Sequence, residues 1–368
     1  IIVMPDKMSQ EKVFHLKALG AEVRMTRSDV GKGHPDYYQD YAERIAGELG
    51  AFYVNQFGNP ANPLAHETGT GPEIWQQMGH ELDAVVCGVG SGGTITGIGR
   101  FMKRVAPEVE IVLADPEGSV LAEAVETGRV REEVGSWLVE GIGEDFVPPV
   151  FDLSLVSRAY TVPDAEAFAV AREVLAKEGL LVGSSSGTLI GAALRYCREQ
   201  SAPKRVVTLV PDSGNKYLSK MFNDFWMIDQ GFIARETFGD LRDLVSRRHR
   251  DQEDYTVKID DTLLTAYSRM KLYDVSQLPV MENEHIVGII DESDVLMAVC
   301  CDEQEDRFKD PVRKAMTTRL ETVAPAAAMS ELLPIFDRGH VAIVKDGDEF
   351  LGLITRIDLL NHLRRRMK

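Results

Sequence analysis

A glycine-rich loop at residues 88–97 holds the residues whose types and spacing are best suited to chemistry. An apolar run ends at Cys87, and apolar residues resume at helical spacing after Gly93, which predicts a strand, a tight loop and a helix start. Glycines leave the backbone N–H groups unshielded, the helix dipole adds partial positive charge, and Ser91 and Thr94 supply hydroxyls. The loop is therefore predicted to hold a terminal phosphate.

Two other interpretations of this loop stay open from its residues alone. Gly88, Gly90 and Gly93 also satisfy the GxGxxG pattern of a nicotinamide dinucleotide site, and Asp115 follows at the end of a second apolar run. The loop also fits a glycine-rich turn that binds no ligand. The other motifs of the chain have to decide among the three.

The 368-residue chain carries a net charge of −17. Its length predicts two or three domains, and its acidity argues against an extended nucleic-acid surface or an anionic membrane as partner. There is no signal peptide and no apolar run of about 18 residues, so we expect a cytoplasmic protein. The cysteines lack the spacing of a metal site or a disulfide framework, which favours a reducing compartment. They are Cys87, Cys197, Cys300 and Cys301.

Strands and helices alternate along the first part of the chain, which predicts a mostly parallel sheet covered by helices. A buried strand is expected at residues 1–4. Ser9 is expected to cap a helix that ends before Gly20, with Val13, Leu16 and Leu19 on one face. The further strands are predicted at 21–25, 83–87, 111–114 and 206–210, and the further helices near 93–104, 164–178 and 187–199.

The alternation stops after Trp226. Residues 228–250 are expected to form a connector with one amphipathic helix, and the basic runs at 247–250 and 364–366 are expected late in helices, where cations suit the dipole. Beyond the connector, residues 287–296 resemble residues 351–360, and each stretch follows a helix and a short strand. Two copies of a β–α–β–β–α unit are therefore predicted at 251–305 and 306–368.

Several segments together resemble the fold-type II pyridoxal phosphate enzymes, and specifically the cystathionine β-synthase family. They are residues 56–66, 88–97, 115–119, 140–143, 183–187 and 211–213. The resemblance implies a tryptophan synthase β-like α/β core with a parallel sheet at 1–227, truncated at its N-terminus, and a linker at 228–250. The two repeats are similar to the tandem CBS domains (Bateman module) of the same family.

The resemblance implies roles for particular residues. Ser185 is implied to hydrogen-bond the pyridine nitrogen, and a neutral hydroxyl there favours β-elimination over transamination. Gln56 is implied to contact the substrate carboxylate, and Gly141 and Gly143 are implied to let the backbone approach the cofactor and move on closure. Taken alone, Ser185 also fits a helix cap and Gln56 a strand end. The 5′-phosphate is implied to be wrapped by Gly90, Ser91, Gly92, Gly93 and Thr94.

Two features depart from the family pattern. The family binds its cofactor as a Schiff base on a lysine in a Ser-X-Lys-Asp-Arg-like stretch and holds the ring with a Thr-Ser-Gly-Asn-Thr-Gly-like loop, and neither motif occurs in this chain. Both precede the family position that aligns with Ile1, so we expect a fragment that lacks this lysine and is inactive alone. Animal and yeast members of the family carry tyrosine at the position of Glu144, whereas some bacterial members carry glutamate there. This departure points to a bacterial source.

The repeats are expected to bind an adenosyl effector. Asp294 and Asp358 each open a helix, so each is either an N-cap or an acceptor for the two hydroxyls of a ribose. Thr355 with Asp358 is the better match to the family site, because Asp291 at the first site repels a phosphate. The resemblance implies S-adenosylmethionine or an adenine nucleotide.

The resemblance implies that the intact enzyme condenses L-serine with L-homocysteine to cystathionine, as a cytoplasmic homodimer or homotetramer. Two alternatives stay open. One is cysteine synthase, which uses an activated serine such as O-acetylserine and sulfide on the same core. The other is a non-catalytic adenosyl-binding protein on a degenerate scaffold. The regulatory pair and residues 115–119 favour the first function over cysteine synthase.

Overall fold

The computed structural model of this protein describes residues 1–131, 134–300 and 307–366. These residues fall into two units, Ile1–Met227 and Ile228–Lys368. Each unit has its own buried apolar clusters.

The first unit is an α/β structure in which parallel strands alternate with helices, as predicted. Its strands are β1 (Ile2–Pro5), β2 (Val23–Thr26), β3 (Ala84–Cys87), β4 (Glu110–Pro116), β5 (Arg158–Val162) and β6 (Val206–Thr208). Its helices are α1 (Gln10–Ala18), α2 (Tyr38–Leu49), α3 (Ala61–Ala65), α4 (Gly71–Gln77), α5 (Gly93–Val105), α6 (Leu121–Thr127), α7 (Asp164–Glu178) and α8 (Ser184–Arg198), followed by α9 (Asp224–Gln230). A π-helix, His66–Thr70, joins α3 to α4.

The main sheet has the order β5-β4-β3-β6, and all its strands are parallel. Its central strand β3 is buried at every residue, because it has a neighbour on both edges and helices on its faces. Val85 and Cys87 share an apolar cluster with Ile95, Ile98 and Met102 of α5. The loops that follow β3, β4 and β6 leave one edge of this sheet, where ligand sites of open parallel sheets form.

The second unit contains two copies of one motif, and the predicted β–α–β–β–α order is present in both. The first copy has β7 (Val257–Lys258), α10 (Leu263–Tyr273), β8 (Gln277–Glu282), β9 (His285–Asp291) and α11 (Glu292–Cys300). The second has β10 (Thr322–Val323), α12 (Leu332–Asp337), β11 (Ala342–Asp346), β12 (Glu349–Ile354) and α13 (Arg356–Arg366). In each copy the first two strands are parallel and the last two antiparallel, with a register shift at the same place. The predicted boundary at 305–306 lies outside the described residues.

Two expectations for the start of the chain are wrong in part. The first strand exists, but Ile1 and Ile2 are 54% and 40% exposed, because β1 pairs with β2 alone in a two-stranded sheet. Ser9 is the residue before α1, yet its side chain caps nothing, and its backbone N–H faces the Glu140 carboxylate at 3.4 Å. The apolar face of α1 contains no buried residue, and Leu19 is 72% exposed.

The amphipathic helix expected in the connector is also wrong. The described residues there form short 3-10 turns at Leu241–Leu244 and His249–Asp251. The Arg235 guanidinium donates to the carbonyls of Val245 and Ser246 at 3.0 and 2.7 Å. These carbonyls therefore accept from a side chain and not from the backbone N–H groups of a helix. The basic run at 247–250 therefore does not end a helix, whereas α13 ends at Arg366 as predicted.

Cysteine placement can be described for three of the four positions. Cys87 is buried in β3, and Cys197 and Cys300 are exposed, all as free thiols. Cys301 lies outside the described residues. In the part of the chain that the structure describes, no helix has both the length and the apolar character needed to cross a membrane.

The packing of α5 generates a stability test. A Cβ at Gly97 would clash with the Pro63 carbonyl and lie 2.6 Å from the His66 Cβ. We expect Gly97→Ala to lower the free energy of unfolding by about 1–3 kcal/mol, as overpacking does. Gly47 of α2 is the matched control, because a Cβ there meets nothing within 4 Å. Gly47→Ala should raise that free energy by about 0.5–1 kcal/mol. Urea unfolding measures both, and an unchanged Gly97→Ala protein contradicts the close approach.

Candidate active site

The loop after β3 is shaped by what lies against its glycines. Gly92 adopts the left-handed conformation with φ 88° and immediately precedes α5. A Cβ at Gly90 would lie 2.5 Å from the Gly141 carbonyl oxygen, and one at Gly92 would lie 2.6 Å from the Phe151 Cβ. A Cβ at Gly93 would clash with the Asn62 side chain. The glycines are therefore required by their neighbours, and the loop exposes backbone N–H groups at a helix start.

Both hydroxyls of the loop contact the segment that contains α3 and the π-helix. The Asn62 amide donates to Ser91 Oγ at 2.9 Å and to the Gln56 carbonyl at 2.8 Å. Thr94 Oγ1 lies 3.2 Å from His66 Nε2. The structure thus brings the predicted phosphate loop and the backbone of Gln56 together, while the Gln56 side chain is exposed.

A second loop, residues 140–144, forms the opposite wall. Gly141 and Gly143 have φ 88° and 85°, which glycine adopts without strain. The Gly143 N–H donates to the Val89 carbonyl at 2.8 Å, and the Trp137 indole donates to the Ile142 carbonyl at 3.0 Å. The predicted substrate residue Gly141 therefore lies directly against the glycine loop.

Glu140, the first residue of this wall, is held by a buried ion cluster that the sequence analysis did not predict. Its side chain is 2% exposed, and its two carboxylate oxygens accept from Lys12 Nζ at 2.7 Å and Lys220 Nζ at 2.6 Å. Its backbone N–H donates to Ser184 Oγ at 3.1 Å. The cluster links α1, the 140–144 loop and the start of α8, and no spacing in the sequence relates these positions.

Ser185 lies in the first turn of α8 and is 4% exposed. Two further hydroxyls of this turn, Ser186 Oγ and Thr188 Oγ1, are buried and have no hydrogen-bond partner among the described residues. Buried hydroxyls that lack a partner fit a site that is completed by a polar ligand. Together with the exposed backbone N–H groups of the glycine loop, they fit a phosphate-bearing cofactor.

Two carboxyl groups behind the loops are buried. Asp115 is fully buried, one oxygen accepts from the Ala122 N–H at 2.9 Å, and burial raises its pKa to about 6. Glu144 is 9% exposed, and burial, with the Asp145 charge beside it, raises its pKa well above the usual value. The dinucleotide interpretation used Asp115 as a ribose ligand, but here the carboxylate caps the turn that starts α6.

The second unit places its predicted effector residues at the starts of α11 and α13. Thr355 donates from its backbone N–H to Asp358 Oδ2 at 2.7 Å and from its hydroxyl at 2.5 Å. The Ser246 hydroxyl donates to the other oxygen of Asp358. In the first copy Asp291 and Asp294 exchange backbone N–H to carboxylate bonds at 3.0 and 2.8 Å. Asp294 and Asp358 are each the third residue of a helix, and each carboxylate accepts from the backbone N–H of the residue before that helix, so neither is itself the N-cap.

Comparison with known proteins agrees with this geometry. Residues 1–212 match the family described as pyridoxal-phosphate dependent enzyme, and residues 242–300 and 312–365 match the CBS domain. The chain is similar to cystathionine beta-synthase of Dictyostelium discoideum, with 33% identity over 99% of this chain and 75% of that protein. It is similar to cystathionine beta-synthase of Oryctolagus cuniculus, with 34% identity over 100% of this chain and 69% of that protein. It is also similar to cystathionine beta-synthase of Saccharomyces cerevisiae, with 31% identity over 99% of this chain and 80% of that protein.

The fold and site define a pyridoxal-phosphate dependent enzyme of fold type II that carries paired CBS domains. Within that class, the chain belongs to the cystathionine beta-synthase family. The predicted fold class and cofactor are thereby confirmed. These relatives are eukaryotic, and the bacterial source stays a prediction.

The buried Asp115 predicts a pH dependence of stability. Its pKa is raised in the folded state, so the folded state holds this proton more tightly than the unfolded chain. The stabilisation that comes from the protonated Asp115 carboxyl is complete below about pH 4 and is lost as the pH rises through about 6. Its size is about 3 kcal/mol. Between these limits, we expect the free energy of unfolding of the wild type to fall relative to that of Asp115→Asn. Denaturant titrations across this range measure it, with exposed Glu117→Gln as the control, and parallel curves for wild type and Asp115→Asn contradict the assignment.

Proposed function

We propose that this protein condenses L-serine with L-homocysteine to cystathionine by pyridoxal-phosphate-dependent β-replacement, the transsulfuration reaction. The observation that carries this proposal is the cradle in which Gly90 lies against the Gly141 loop while Ser91 and Thr94 lie against Asn62 and His66. It occurs in a chain that is similar to cystathionine beta-synthases along nearly its whole length. We assign 1–227 to the catalytic core, 228–250 to a linker, and 251–305 and 306–368 to the two CBS domains.

The loop residues are proposed to hold the phosphate of the cofactor. Backbone N–H groups of residues 90–94 donate to it with the α5 dipole behind them, and the Ser91 and Thr94 hydroxyls add donors. The Ser185 hydroxyl is proposed to face the ring nitrogen, where a neutral group does not stabilise a protonated ring. When bound, the cofactor supplies a sink for the electrons released at the substrate α-carbon.

The substrate is proposed to lie between Gln56 and Gly141. The Gln56 amide donates to the amino-acid carboxylate without adding charge, and the 140–144 backbone closes over the bound ligand. Left-handed glycines at both Gly141 and Gly143 permit that movement, whereas Glu140 fixes the start of the loop through its two lysine partners. Closure that excludes water protects the reacting amino acid from hydrolysis.

The CBS domains are proposed to bind an adenosyl effector, S-adenosylmethionine or an adenine nucleotide, and to regulate the core. Thr355 and Asp358 support this site, because a carboxylate beside a hydroxyl suits the hydroxyl pair of a ribose. Asp294 stands next to Asp291, and this second carboxylate lowers the affinity of that site for anionic ligands.

Self-association is proposed through apolar positions of the second unit. Leu296 of α11 is 58% exposed, and Ile357 and Leu360 of α13 are 60% and 59% exposed. Exposed apolar residues on the helices of one unit suit contact with another copy. A homodimer or homotetramer in the cytoplasm is the corresponding proposal.

The test of the function compares two pairs of substrates. We expect cystathionine from serine and homocysteine at a kcat/KM at least about tenfold above that for cysteine from O-acetylserine and sulfide. The assay is run on this chain and on the gene product translated from its initiating methionine. The reverse preference identifies a cysteine synthase, and no turnover of either pair by either protein favours an adenosyl-binding protein without catalytic activity.

The effector site is tested by matched substitutions in the two repeats. Asp358→Asn keeps a cap for α13 but removes the charged acceptor, so we expect adenosyl affinity to fall by about tenfold or more. Asp294→Asn is the control, with an expected change below about twofold. Isothermal titration calorimetry with S-adenosylmethionine, and separately with AMP and ATP, measures both variants. Equal losses at the two positions contradict the assignment of the site to the second repeat.

A further inference from the structure

Each of the two hydroxyls of the phosphate loop, Ser91 Oγ and Thr94 Oγ1, lies next to a side-chain nitrogen from the segment 61–70. The Asn62 amide group has two hydrogens, and one goes to Ser91 Oγ while the other goes to the Gln56 carbonyl. Because Ser91 Oγ already accepts a hydrogen bond from Asn62, its own proton is available to a ligand. One side chain therefore joins the phosphate loop to the segment that carries the predicted substrate residue.

His66 stands behind Thr94 in the same way. Its Nε2 lies 3.2 Å from Thr94 Oγ1, and its Nδ1 lies 2.9 Å from Thr70 Oγ1. A phosphate only accepts hydrogen bonds, so a Thr94 hydroxyl that binds it must give its proton forward and accept from behind. This requires the neutral histidine to carry its hydrogen on Nε2 and to accept from the Thr70 hydroxyl at Nδ1. Burial lowers the pKa of His66, which favours the neutral ring.

The backbone of the segment 61–70 and of α5 allows Asn62 and His66 to approach the loop closely. His66 and Thr70 are the two ends of the π-helix His66–Thr70, a helix type that is frequent at functional sites. Gly97 of α5 leaves room for the His66 Cβ, and Gly93 leaves room for the Asn62 side chain. A side chain at either glycine would push the segment 61–70 away from the loop.

We propose that Asn62 and His66 are positioning residues of the phosphate site, which orient the Ser91 and Thr94 hydroxyl protons toward the phosphate of the cofactor. This inference rests on the proposed function of the loop. Neither side chain has to touch the phosphate, and both act through the hydroxyl in front of them. Thr70 is a third positioning residue, because its hydroxyl donates to His66 Nδ1 and so leaves the histidine hydrogen on Nε2.

The experiment compares pyridoxine 5′-phosphate with pyridoxine. The two compounds differ by the phosphate, and neither has the aldehyde that reacts with lysines, so their affinity ratio reports phosphate recognition alone. Calorimetry on the wild type should show a preference for the phosphate ester. Asn62→Ala and His66→Phe should each reduce this preference about threefold to tenfold through weaker binding of the ester. Pyridoxine affinity should stay unchanged.

A conservative variant separates positioning from packing. His66→Gln keeps an N–H donor near the place of Nε2 and should retain the preference within about twofold. Thr70→Val removes the hydroxyl at the same size and should reduce it about twofold to threefold, and it serves as the test if His66→Phe does not fold. With the ester bound, ¹⁵N NMR should show His66 as the Nε2–H tautomer. Exposed His15→Phe is the control, and thermal unfolding checks each fold.

The outcomes distinguish this inference from the proposed function. If Asn62→Ala, His66→Phe and Thr70→Val all keep the wild-type preference, or if His66 carries its hydrogen on Nδ1 with the ester bound, the positioning role is wrong and the phosphate loop stands. If the wild type binds the two compounds equally, the phosphate site itself is wrong.

Discussion

The site depends on the close approach of three segments at the carboxyl end of β3. A side chain at Gly90 would displace the Gly141 loop, one at Gly92 would displace Phe151, and one at Gly93 would displace Asn62. The glycine loop therefore meets the 140–144 loop, Phe151 and the segment that contains α3 at positions where only hydrogen fits. This constraint explains why the loop is rich in glycine even though Gly92 alone of the three has a positive φ. The close approach of neighbouring atoms therefore accounts for more of these glycines than the need for a positive φ does.

The Glu140 cluster supplies the electrostatic counterpart of that packing. A carboxylate that is 2% exposed is costly to bury, and two lysine ammonium groups at 2.6 and 2.7 Å offset that cost while keeping their stems partly in solvent. With both lysines charged, the three side chains carry a net charge of +1, so loss of Glu140 would leave two ammonium groups without their shared carboxylate. Because Glu140 directly precedes Gly141, the cluster fixes the start of the loop, and the bonds of Ile142 and Gly143 to Trp137 and Val89 hold the residues that follow.

The elements of both units could be predicted because their patterns are local. The apolar run before Gly88 and the helical spacing after Gly93 define β3 and α5, and the repeat of residues 287–296 at 351–360 defines the second unit. What failed depends on distant partners. None of the residues of α1 is buried, so its apolar spacing did not mark a covered face, and in the connector Arg235 binds two backbone carbonyls. The roles of Asn62 and His66 were not predicted, since the resemblance covers their segment without showing that they contact Ser91 and Thr94.

The two repeats show how one position can change a site while the fold stays the same. Thr355 and Asp291 occupy the same place before a helix, and the backbone N–H of each donates to the carboxylate that follows three residues later. Thr355 leaves a single negative charge at its helix start, whereas Asp291 places a second carboxylate beside Asp294. Burial, with a smaller contribution from the Asp291 charge, raises the pKa of Asp294. Helix capping alone tolerates either residue, because both accept from a backbone N–H. Helix capping therefore does not distinguish the repeats, whereas the number of carboxylates at the helix start does, and an anionic ligand would meet less repulsion at the second repeat.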